Sequence, residues 1–133
     1  MPVLQGWTPD DYERSVELVD RILDGRWPPL VGVGSVCRRQ LHGPDGLEAV
    51  LDRVQKLLPW PHLHLFGVKG AALSMLRTRM VWSTDSQAWD YGERWDACEG
   101  ERPNSVHARA RAMRAWHERS VELRLQPYQR RLF

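Results

Sequence analysis

Asp85 stands between Thr84 and Ser86, directly after the apolar run Met80-Val81-Trp82-Ser83. A carboxylate in that place can serve as a nucleophile, as a base, or as the cap of a following helix over Ser86–Tyr91. A second candidate is Gly32-Val33-Gly34-Ser35, followed at once by Arg38-Arg39. Its glycines lack the spacing of a dinucleotide fingerprint, and no P-loop lysine follows. Glycines at a strand end allow a tight turn or the close approach of a backbone to a ligand. The adjacent arginines suit a phosphate. His62 and His64 flank Leu63, and strand alternation puts both on one face. A metal there needs at least one further ligand, so structural roles are expected. Cys98 with His107 is likewise short of four ligands, and no metal site is expected. Trp82, Trp89, Trp95 and Trp116 could stack on bases, but core packing is the default expectation for each.

These residues need a scaffold, and the pattern supplies one. Val3-Leu4 is a short apolar piece ending at Gln5-Gly6. Thr8 as N-cap, Pro9 at the first helical position and two acids predict a helix start. Tyr12, Val16, Val19 and Leu23 give it an apolar stripe, and Gly25 ends it. Leu30–Val36 reads as a buried strand after Pro28-Pro29. Pro44-Asp45 open a second helix carrying Leu47, Val50, Leu51, Val54, Leu57 and Leu58, closed by Pro59 and Pro61. Leu63–Val68 is the next strand, Ala71–Arg77 a short helix, and Met80–Ser83 a strand. Residues 92–104 are loop-like, and Ser105 caps a final helix to about Leu125. Asp10 and Asp45 are helix-start residues with no chemistry assigned. Strand–helix alternation implies parallel strands joined by right-handed crossovers. The polar residues collect where strands end: Gln5-Gly6, Gly34-Ser35, Gly67-Val68-Lys69 and Thr84-Asp85-Ser86. Parallel α/β folds place their sites at that end.

Composition narrows the class. With 42% hydrophobic and 27% charged residues the chain can bury a core. No apolar stretch approaches the ~20 residues of a membrane span, and no membrane partner is expected. The start, MPVLQGWTPDDYERS, lacks the basic and apolar run of a secretory leader. Two cysteines make a reducing, cytoplasmic compartment the simpler expectation. Charge is uneven. Residues 1–104 hold 12 basic and 15 acidic side chains, and residues 105–133 hold 7 and 2. All seven basic residues of the tail are arginines. A solvated helix face is the plain reading of that block, and a nucleic-acid backbone contact is the sharper one.

Four segments taken in order, Leu4-Gln5-Gly6-Trp7, Val31–Arg39, His64–Lys69 and Ser83–Trp89, resemble the C-terminal half of the tRNA-guanine transglycosylase family. The resemblance is closest to the branch that inserts 7-deazaguanines into DNA, known from bacterial modification clusters and phages. It covers residues 2 to about 91. It implies an α/β fold, the C-terminal half of an eightfold barrel, with strands five to eight at 3–6, 30–36, 63–68 and 80–85. It carries the family's nucleophilic aspartate onto Asp85 and a base-contacting glutamine onto Gln5, with Gly6 beside it. It carries base-holding backbone amides onto Gly34, Ser35 and Val36. The tRNA enzymes usually have a second glycine where Ser35 stands. Their zinc site of three cysteines and a histidine is matched here only by Cys98 and His107, so neither metal nor other cofactor is expected.

Extraction of a base from the stack calls for backbone contacts, expected from Arg38, Arg39 and Lys69. A complete barrel typically takes ~250 residues, and this sequence has 133. The leading expectation is therefore one domain forming half of a 7-deazapurine transglycosylase acting on DNA or tRNA. A second chain, or a homo-oligomer, would supply the other strands. The setting expected is a bacterial or phage-infected cell. The alternative is an inactive remnant, or a subunit that binds nucleic acid or a partner without chemistry.

Overall fold

The computed structural model describes residues 1–70, 72–76, 80–86, 90–91, 94–95, 98–100 and 105–125. They fall into two compact units. The first holds four strands, β1 (Val3–Leu4), β2 (Leu30–Val33), β3 (His62–Leu65) and β4 (Val81–Thr84), with helices α1 (Pro9–Leu23) and α2 (Leu47–Leu57). The second holds α3 (Ala72–Met75) and α4 (Val106–Leu125).

The four strands form one parallel sheet in the order β1-β2-β3-β4. A doubly wound sheet reverses its order at a switch point. Here chain order and spatial order coincide throughout, which is the winding of an eightfold α/β barrel cut to half. The register sets Val3 beside Gly32, Gly32 beside His64 and His64 beside Ser83. A β-bulge interrupts β3–β4 pairing between Leu63 and His64.

Alternation gives the sheet two unlike faces. Leu4, Val31, Val33, Leu63, Leu65 and Val81 are buried, together with Tyr12 and Val16 of α1 and Leu47, Val50, Leu51 and Val54 of α2. Each such aliphatic side chain contributes about 1.5–3 kcal/mol when fully buried. The opposite face carries Val3, Gly32, His64 and Ser83. Trp82, expected in a core, is 70% exposed, and its ring stacks on His62 with centroids 4.4 Å apart. Val81 faces the core, so alternation puts Trp82 on the opposite face. Trp95 is also exposed, at 57%; Trp89 lies outside the described residues.

Helix α1 starts as its sequence predicts. The Thr8 hydroxyl accepts from Asp11 N–H, and the Asp11 carboxylate accepts from Thr8 N–H at 2.8 Å. The Thr8 N–H and hydroxyl, which both donate to the Asp11 carboxylate, then Trp7 N–H and Arg14, hold that carboxyl well below the usual carboxylate range. Asp24 and Gly25 end the helix in left-handed conformations. The other elements begin or end within a few residues of expectation. Helix α2 starts at Leu47 rather than at Pro44, because the chain first turns through Gly43 (φ 105°) and Gly46 is the N-cap. Strand β2 stops at Val33 because Ser35 turns left-handed, and β3 stops at Leu65 because Gly67 does.

In the second unit α3 and α4 pack together over Leu73, Leu76 and Ala108. Ser105 accepts from Ala108 N–H at 3.2 Å, the expected cap of α4. Asp90, 8% exposed, takes Arg94 at 3.0 Å and Arg109 at 2.8 Å. One of the tail arginines is thereby a structural ion pair, while Arg111, Arg114 and Arg119 are exposed along the helix. Arg130 and Arg131 lie outside the described residues. No helix among the described residues is long and apolar enough to cross a membrane.

Candidate active site

The site is built where the four strands of the first unit end. At the end of β4, Asp85 is exposed, and its carboxylate Oδ1 accepts the backbone N–H of Gly67 at 2.6 Å. Thr84 Oγ1 donates to the Val68 carbonyl at 2.8 Å, fastening the same strand end to the turn after β3. Gly67 has φ +73°, and a Cβ there would lie 2.8 Å from Cys37 Cβ and 2.9 Å from its Sγ. Both backbone conformation and close approach therefore demand glycine, and the turn they permit aims an N–H at the carboxylate. The bond engages one carboxylate oxygen of Asp85, and the other has no hydrogen bond among the described residues. Residues 87–89, which a capping role for Asp85 would require, lie outside the described residues.

At the ends of β1 and β2, Gln5 and Ser35 meet. Ser35 Oγ donates to Gln5 Oε1 at 2.6 Å, and Gln5 N–H donates to Ser15 Oγ at 3.1 Å. With Oε1 engaged, the Gln5 Nε2 group is the end left to donate. Gly34 makes room for this side chain: a Cβ there would run into the Gln5 amide. Ser35 sits at φ 55°, a left-handed conformation that suits the glycine usual in the tRNA enzymes. Here the serine adds the hydroxyl that orients Gln5.

Of the three backbone amides expected to hold a base, the Gly34 N–H is committed to the Leu4 carbonyl at 2.9 Å. Ser35 and Val36 retain amides outside the strand ladder. The Gly34 carbonyl is likewise engaged, accepting the buried Tyr12 hydroxyl at 2.5 Å. Burial pushes the Tyr12 phenol up, with the Arg39 charge opposing.

Arg39 was expected on a nucleic-acid backbone, and its geometry gives it other work. Nε and one Nη2–H donate to the Ser35 carbonyl at 3.3 and 3.0 Å, and Nη2 also to Gly6 O at 3.2 Å. Nη1 donates to the carbonyls of Trp7 and Asp45. All five guanidinium N–H groups are thus on main-chain oxygens. They bind the turns after β1 and β2 together, and the guanidinium also stands 4.8 Å over the Trp7 ring. Gly6 is glycine because a Cβ would lie 2.7 Å from Asp11 Cβ. Arg38 differs from its neighbour. It is exposed, held at φ 60°, and makes no polar contact among the described residues. Lys69 is exposed on the second unit.

Lower on the same sheet face, His64 Nδ1 and Ser83 Oγ hydrogen-bond at 2.8 Å, and the Phe66 ring meets His64 edge-on at 4.6 Å. Phe66 reaches across to Gly32, where a Cβ would lie 2.8 Å from its ring. The pattern of the sequence missed this His64–Ser83 pair; only strand register brings it together. No group of three or more His, Cys, Asp or Glu able to hold a metal occurs among the described residues.

A family model described as DpdA, DeoxyPurine in DNA protein A, matches residues 1–125. No curated protein and no solved structure matches the chain.

Proposed function

The chain belongs to the DpdA family, DeoxyPurine in DNA protein A, and from that premise we propose that it carries the nucleophilic half of an enzyme exchanging guanine for a 7-deazaguanine derivative in DNA. The observation that carries the reading is Asp85, exposed at a strand's carboxyl end with one carboxylate oxygen fixed by Gly67 N–H.

The chemistry follows from the parts. The free oxygen of Asp85 attacks the anomeric carbon of the target nucleotide as the glycosidic bond breaks. The bonding pair leaves with guanine, which takes up a proton. The transition state is oxocarbenium-like, so the adjacent carboxylate also stabilises its charge. The incoming deazapurine then attacks the same carbon, loses its ring N–H proton and frees Asp85. Two inversions retain configuration, and proton uptake and release balance over the cycle. Gln5 Nε2, with the Ser35 and Val36 amides, holds the base in plane. Arg38 meets a phosphate.

A half barrel presents two open strand edges, and sheet edges are templates for pairing. Four further strands complete the pocket in this proposal. The substrate is DNA rather than tRNA because the family description names DNA.

The test is incorporation of labelled 7-deazaguanine base. The chain is purified from its own cells with whatever it binds, then supplied with DNA or tRNA. Label entering DNA with the wild type, and falling at least a thousandfold with Asp85→Ala, is the expected result. Equal label with both proteins overturns the nucleophile. Label entering tRNA alone overturns the substrate.

A further inference from the structure

The sharpest unassigned feature of the first unit is a cleft of about 370 Å³ beside the ends of β1 and β2. Trp7, Arg38, Arg39, His42, Pro44 and Asp45 are among its lining residues. Trp7 is 68% exposed, an unusual state for so large an apolar ring. It is nonetheless held in place. The Arg39 guanidinium stands 4.8 Å over the indole, and Arg39 is itself fixed on the carbonyls of Gly6, Trp7, Ser35 and Asp45. Arg38 holds a left-handed conformation that costs a non-glycine residue energy, and its exposed side chain makes no polar contact among the described residues. His42 is paired with Glu48 at 3.1 Å, so it is not the cation the cleft offers. A rigid exposed aromatic next to an uncommitted guanidinium has the two parts that bind one unpaired nucleotide: a stacking platform and a phosphate contact.

We propose that this cleft binds the unpaired deoxynucleotide next to the target, its base stacked on Trp7 and its phosphate on Arg38. The position is right for a neighbour of the reacting nucleotide. Parallel strands lie about 4.8 Å apart, so the ends of β1 and β2 are about 14 and 10 Å from the end of β4 and Asp85. Extraction of the target base unstacks its neighbour as well, and a platform for that neighbour offsets part of the cost. The inference rests on the DNA reading of the previous section, but its test needs no chemistry.

The full chain is titrated with a fluorescently labelled single-stranded oligodeoxynucleotide, and binding is followed by anisotropy at several salt concentrations. Trp7→Ala is expected to weaken binding roughly tenfold, and Trp7→Phe to restore most of it. Arg38→Gly suits the left-handed backbone, so the fold persists. It is expected to flatten the slope of log K against log salt by about 0.7. An oligonucleotide abasic beside its central guanine is expected to bind the wild type and Trp7→Ala alike. Wild-type affinity from both variants, or no wild-type binding at low salt, overturns the proposal. So does an oligoribonucleotide of the same sequence that binds more tightly through Trp7. Loss of the Asp85 dependence of base exchange, with the Trp7 effect intact, removes the chemical reading and leaves the cleft standing.

Discussion

The Gly67 N–H donates to Asp85 Oδ1 at 2.6 Å, so the turn after β3 orients the carboxylate at the end of β4. Gly67→Ala meets two obstacles there, a φ of +73° and contact with Cys37. The left-handed conformation alone costs about 1–2 kcal/mol. We expect a loss larger than that in urea unfolding, together with a fall in base exchange. Adding Cys37→Gly removes the contact but not the strain. The double variant is expected to recover part of the stability, and a full recovery would show that contact rather than conformation makes Gly67 necessary.

Gly34→Ala separates function from stability in the opposite way. Gly34 needs no left-handed conformation, and the group its Cβ would strike is the far end of the Gln5 side chain. That amide can swing aside at little cost to the fold. It then loses the Ser35 hydroxyl that orients it. Unfolding by urea should change by less than about 1 kcal/mol, within the range of mild substitutions. Base exchange should drop toward the level of Gln5→Ala. Equal exchange by Gly34→Ala and wild type would remove Gln5 from the pocket.

Much of the scaffold was legible because local rules and tertiary packing agree. Thr8, Pro9 and Asp11 announce α1, and the apolar spacing of Leu47, Val50, Leu51 and Val54 announces α2. Two kinds of feature were not legible. The end of β2 is hidden because the left-handed turn that stops it falls on Ser35, a non-glycine residue whose type gives no signal. The division of labour between Arg38 and Arg39 was hidden as well. Adjacent identical side chains look alike in a sequence, yet one is bound to four carbonyl groups and the other is exposed without a polar contact among the described residues. Trp82 was misplaced for a similar reason: an aromatic in a strand is buried only if something covers its face.

Tyr12 links the core to pH. Its hydroxyl is buried on the Gly34 carbonyl, and burial raises the phenol above its ordinary value of 10.0. The folded group thus holds its proton more tightly than the unfolded one. Its contribution to stability is fully present below pH 10 and is lost as pH rises through the folded value. Tyr12→Phe should show a shallower loss of stability above pH 10 in urea unfolding. At neutral pH the variant should be less stable by about 1–3 kcal/mol, because the Gly34 carbonyl is left without its donor. An unchanged alkaline slope would assign that titration to another group.

The contrast between the two arginines gives a crossed prediction. Arg39→Lys replaces a planar fork of five donors with a point charge that cannot span the carbonyls of Gly6, Trp7, Ser35 and Asp45. It should cost about 2 kcal/mol of stability, the scale of one hydrogen bond to a charged group. It keeps the positive charge and had no donor facing solvent, so the salt dependence of DNA binding should hold its slope even where affinity falls with the loosened Trp7. Arg38→Gly should do the reverse, lowering the slope and leaving unfolding unchanged or slightly more favourable to the folded state, since glycine accepts φ 60° without strain. Urea unfolding and salt-dependent anisotropy on the same two variants decide the matter. If Arg39→Lys lowers the slope while Arg38→Gly does not, the phosphate contact belongs to Arg39, and its bonds to the four carbonyls must open when DNA binds.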